Sequence, residues 1–170
     1  MTNRTRSALP APLDSPDTGE VLGTIAALLW RERDVLEGML FALVEQQLVL
    51  TGGAPRWLVR ADAAVQAAAR SVQDLEVLRA AEVEMLAHQH GLPAEVSLRE
   101  LAEAAAEPWS TVLDDHRQAL AALTTEIDAA ITTNRALLVA GERATREALE
   151  QAGVLAPAAT RGAWVLDEQA

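Results

Sequence analysis

Apolar residues recur along this chain at helical spacing, and short breaks divide the recurrence into long rods. From about Thr18 to Leu50 an unbroken heptad series runs through Leu22, Leu29, Leu36, Leu43 and Leu50, with Ile25 and Met39 at the alternate seam positions. The same alternate positions hold Glu32 and Gln46, while Leu28, Val35, Ala42 and Val49 flank the leucines. So wide a stripe predicts a helix packed against two neighbours rather than the narrow seam of a two-stranded coiled coil.

The breaks carry their own signals. In "TGGAP" the pair Gly52 and Gly53 supplies a left-handed cap, and Pro55 suits the first turn of a second helix. A connection this short makes the two helices antiparallel. The second helix is predicted from about Pro55 to His90, buries Leu58, Ala61, Val65, Ala68, Val72, Leu75, Leu78 and Met85, and stops at Gly91. "SLRE", Ser97 to Glu100, has capping-box spacing, so a short helix follows. Pro108 either kinks that helix or opens a new one. From there to about Ala152 two seam series interleave: Leu113, Leu120, Ile127, Asn134, Gly141 and Ala148 alternate with His116, Leu123, Ala130, Leu137 and Ala144. Gly153 ends this last rod.

The expected fold is therefore all-α: an antiparallel bundle of three long helices plus one short connecting helix, spanning 18–152. Residues 1–17, with three prolines and no periodic pattern, read as a flexible leader, and 153–170 as a flexible tail. Half of the 170 residues are apolar, enough for one core. No run approaches the roughly 18 uncharged apolar residues of a membrane span, and no signal peptide opens the chain, so a cytoplasmic protein without stable membrane insertion is expected.

Composition removes several function classes. Cysteine is absent, and with it disulfides, thiol catalysis and thiolate metal sites. Lysine is absent too, which excludes a P-loop lysine, a Schiff base and a lysine general base. A net charge of -11 with scattered arginines repels a phosphate backbone, so no nucleic-acid partner is expected.

Candidate catalytic groups are sparse. The histidines of "HQHG" lie two apart, whereas metal ligands on one helix face need a spacing of three or four, and polar residues at a helix C-terminus explain them. His116 sits on the seam with no serine–aspartate grouping around it, which favours a hydrogen-bonded core histidine over a general base. The acidic pairs Glu82 with Glu84 and Asp114 with Asp115 point in different directions on a helix and read as solvated faces. No enzyme activity, metal or cofactor is expected. Trp57 and Trp109, near helix starts, suit staple-like packing, and Trp30 is placed to rest on Arg33 one turn away. Trp164, in the tail beside Val165 and Leu166, either docks back onto the bundle or anchors a partner.

Asn134 is the anomaly of the last rod, an amide where leucine would pack better. One reading is a register device, since a single buried amide penalises misaligned pairings. The other follows from length. A last helix of about 45 residues spans roughly 65 Å against roughly 54 Å for the second, so its end should project past the Gly52–Gly53 turn. The seam there would lack intramolecular partners, with Gly141 and Ala144 leaving a shallow surface for a foreign amphipathic helix and Glu142, Glu147 and Glu150 as a polar rim.

The leucine-rich "LLWRERDVLEGMLFALVEQQLVL", the alanine-rich second helix, the short helix and a last helix bearing "NRALLVAG" together resemble the FlgN family of flagellar export chaperones, over roughly residues 20–152. That resemblance implies a cytoplasmic, ATP-independent chaperone for the C-terminal segments of the hook-filament junction proteins FlgK and FlgL, delivered to the export gate protein FlhA. It places client binding on the stretch around Ile127 to Leu149, with Ile127, Ile131, Asn134, Leu137, Leu138, Gly141, Ala144 and Leu149 as its residues. Gate docking in relatives uses an aromatic residue near the C-terminus; the chain has no tyrosine, and Trp164 is the substitute. The competing expectation is a non-enzymatic coiled-coil adaptor that homodimerises through the leucine stripe of the first helix.

Overall fold

The computed structural model describes residue 13 and residues 16–93 and 96–153. Its order is α1 (Pro16–Thr51), a 3-10 turn (Pro55–Trp57), α2 (Leu58–His90), α3 (Leu98–Ala104) and α4 (Trp109–Gln151). The expected all-α bundle of three long helices and one short helix is what forms. Local chemistry explains the breaks. Gly53 and Gly91 take φ of 64° and 65°, left-handed values that would strain any side chain. At the start of α3 the Ser97 hydroxyl accepts from the Glu100 amide while the Glu100 carboxylate accepts from the Ser97 amide. The hydrogen bonds from Ser97 hold the Glu100 carboxyl below the usual carboxylate range. Pro108 precedes a fresh start of α4 rather than kinking a continuous helix.

α1 is the centre of the assembly. It packs against α2 on one side and α4 on the other, whereas α2 and α4 make no close backbone approach to each other. This accounts for the width of its apolar stripe. Leu22, Leu29, Leu36 and Leu43 are all buried against the chain's own helices. The burial of these four corrects the expectation of a homodimer through that stripe: of the series only Leu50, at the end of α1, stays partly open among the described residues.

Two packed regions hold the rods together. One joins Leu22, Ile25 and Leu29 of α1 to Leu86 and Ala87 of α2, Leu101 of α3 and Leu113 of α4. The other groups Leu36 and Leu43 of α1 with Ile127 of α4, flanked by Val65 and Val72 of α2. Trp109, expected to pack at its helix start, lies on α1 where Gly19 and Gly23 leave room for the indole. A Cβ added at Gly23 would sit 3.3 Å from its Cη2. Gly23→Val is expected to lower stability by about 1–3 kcal/mol through this overpacking, checked by urea unfolding, with Gly38→Val as the control at an open position. Trp57 differs from expectation: it is half exposed, with the Arg56 guanidinium 5.3 Å from its ring.

The N-terminal boundary also differs. α1 begins at Pro16, and Leu13, read as part of the leader, is 2% exposed, its amide donating to the Ala104 carbonyl at 3.2 Å. The rest of the expected leader, apart from α1's own first residues, lies outside the described residues, as does all of the tail beyond Gly153.

Candidate functional site: the uncovered end of α4

Three polar contacts set the registry of the rods. Near the top, Thr18 Oγ1 and His90 Nε2 lie 3.0 Å apart, tying α1 to α2. Halfway down, Arg79 donates to Glu32 at 2.9 Å, and the Glu32 side chain is only 7% exposed. Near the bottom, the Asn134 amide donates to the Leu43 carbonyl at 2.8 Å and to Gln46 Oε1 at 2.9 Å. The polar seam residues Glu32 and Gln46 thus have partners on neighbouring helices. Asn134 is buried, and its register role has a physical basis: sliding α4 by one turn would strand both donors in an apolar seam.

α4 rises in step with α1. Trp109 meets Gly19 and Gly23, His116 meets Trp30, Asn134 meets Leu43 and Gln46, and Leu137 comes beside Leu50. α1 ends at Thr51, level with about Val139 in this register, while α4 continues to Gln151. About a dozen residues, roughly 18 Å of helix, therefore run past the turn. The burial pattern agrees. Ile127 and Asn134 are buried, Ile131 and Leu137 half-buried, Leu138 38% and Val139 66% exposed, and every residue from Gly141 to Leu149 is exposed.

This sorts the expected client-binding residues. Ile127 and Asn134 are buried against α1 and offer no face to a partner, which corrects their assignment; the open face begins beyond Asn134, so the stretch implied by the resemblance starts too early. Ile131 packs against the same cluster. Leu137, Leu138 and Gly141 instead line a cleft of about 410 Å³ whose other wall comes from Val49 and Leu50 of α1, Ala54 and Pro55 of the turn, and Leu58 of α2. Its lining is apolar apart from Glu142 and Thr145. Ala144 and Leu149 continue the stripe beyond it into solvent. The second wall escaped sequence reading because only the three-dimensional register brings Leu58 opposite Leu138.

Among the described residues the projecting helix has no tertiary neighbour, and the contacts that support it are local. Arg143 pairs with Glu147 at 2.8 Å and Arg146 with Glu142 at 2.9 Å, each one turn apart, and Thr145 bonds back to the Gly141 carbonyl. The expected acidic rim is thus partly neutralised. Gly141 has no heavy atom within 4 Å of where a Cβ would stand, leaving its backbone open to a close-packed partner.

His116 lies on the same α4 seam, higher up, buried edge-on against Trp30 at 5.0 Å, and Arg33 stacks on the other ring at 4.6 Å. Desolvation, and then the nearby Arg33 charge, push its pKa below the ordinary 6.5, with Asp115 opposing. Because the unfolded chain then binds the proton more tightly, stability is intact above 6.5 and falls as pH drops through 6.5 toward the folded value. His116→Gln is expected to flatten the melting temperature between pH 7.5 and 5.5 relative to the parent chain, as read by circular dichroism.

Among the described residues, no group of three His, Asp or Glu side chains gathers as a metal site, and no helix is long and apolar enough to cross a membrane. The geometry defines an all-α bundle whose last helix outruns its neighbours and leaves an apolar cleft at the turn. Comparison with protein families agrees: the FlgN protein family matches residues 22–152, and the chain belongs to that family. The match covers α1 from Leu22 to the end of α4. The family is one of chaperones, not enzymes, and membership supports a role in flagellar export. No curated protein and no solved structure matches the chain. Trp164 lies outside the described residues.

Proposed function

We propose that the protein is a cytoplasmic export chaperone that binds the C-terminal helical segments of FlgK and FlgL and delivers them to the export gate protein FlhA. The observation that carries the binding step is the uncovered stripe and cleft around Leu137, Leu138 and Gly141, joined to a family match over most of the chain. An amphipathic client helix laid along Gly141, Ala144 and Leu149 would supply the packing layer that α1 and α2 stop providing. Disordered client segments that fold on docking sacrifice about 2–5 kcal/mol to ordering, so the contact is specific and still releasable for export. Client release at the gate would use Trp164 as the aromatic contact of the loaded chaperone. Calorimetric titration of the full chain with the C-terminal segments of FlgK and FlgL from the same organism tests the reading. Saturable binding of either segment supports it, and no heat with both at about 100 μM contradicts it.

A further inference from the structure

The apolar cleft at the turn raises the question of what fills it when no client is present. We propose that the chain's own segment around Trp164, Val165 and Leu166 docks there and competes with the client; this rests on the client reading of the same cleft. Three observations point to that occupant. Reach is the first. α4 ends about ten residues, roughly 15 Å, beyond Gly141. Gly153, at φ 72°, turns the chain off the helix axis, and the eleven residues from there to Trp164 extend up to about 36–40 Å.

Chemistry is the second. The cleft is walled by Val49, Leu50, Pro55, Leu58, Leu137 and Leu138, with the open backbone of Gly141 as a floor on which an indole can lie flat. Trp164-Val165-Leu166 is the bulkiest apolar cluster in the sequence after α4. Arg161, three residues before the tryptophan, is a cation in a chain whose net charge is -11. Tethering is the third. A short linker holds such a segment near its site at an effective concentration on the order of 1 mM. An intrinsic affinity of only about 0.1 mM would then keep the cleft about nine-tenths occupied, and would weaken client binding about tenfold.

The test uses the full chain. In methyl-labelled protein without client, Trp164→Ala is expected to shift the Leu58, Leu137 and Leu138 resonances and leave Leu22 and Leu29, at the opposite end of α1, in place. A synthetic peptide of residues 154–170 added to that variant should return the shifted resonances toward the parent positions. Trp164→Ala should also tighten FlgK or FlgL segment binding about tenfold. Unmoved Leu58, Leu137 and Leu138 methyls would overturn the proposal even if client binding is intact. Methyl shifts as expected, with no client segment binding to either form, would leave the tail contact standing and remove the chaperone reading instead.

Discussion

Leu138→Asp is expected to weaken binding of the client segment by at least about 100-fold while leaving the thermal melt nearly unchanged. Leu138 is 38% exposed and stands at the mouth of the cleft, where an apolar client side chain would be desolvated against it. A carboxylate there would have to be buried without a partner when the client docks, and stays hydrated when the cleft is free. The effect therefore falls on the complex and spares the fold. Calorimetry beside differential scanning of the same preparation separates the two. A melt that collapses together with binding would show that Leu138 belongs to the core instead.

Asn134→Asp is expected to reverse that pattern, lowering stability by about 3–5 kcal/mol and the melting temperature by roughly 10 °C or more. The amide of Asn134 donates to two oxygens, the Leu43 carbonyl and Gln46 Oε1, at a position that is 2% exposed. A carboxylate puts negative charge against both acceptors with no water to screen it. The double replacement Asn134→Leu with Gln46→Leu should be near neutral, because both members of the polar contact leave together. The expected difference between the single and double variants is the signature of a register device. Equal destabilisation by the two would contradict it.

What the chain reveals before it is folded divides by sequence distance. The capping box of Ser97 and Glu100, the glycine stops at Gly53 and Gly91 and the heptads of α1 are written within one or two helical turns, so their elements were legible. Glu32 and Gln46 were visible as polar positions, but their partners Arg79 and Asn134 lie 47 and 88 residues away and emerge only when the register is set. The same limit hid Leu58 as the wall facing Leu138. Leu13 was missed for a different reason: a single docked residue in a proline-containing stretch carries no period. The projecting end of α4 is legible from length alone, whereas the client-binding stretch implied by the resemblance starts too early. Ile127 and Asn134 are seam residues, and the open surface begins at Leu137 and Leu138.

Among the described residues nothing covers the end of α4 past the turn, and the proposed function has a client helix complete the packing there. Methyl resonance mapping during titration with the C-terminal segment of FlgK or FlgL tests it most directly. The predicted result is saturable shifts at Leu58, Leu137, Leu138 and Leu149, with the α3 end of the bundle, Leu101 and Leu113, unmoved. Saturable binding that shifts Leu101 and Leu113 while Leu137 and Leu138 stay still would place the client elsewhere and contradict the account.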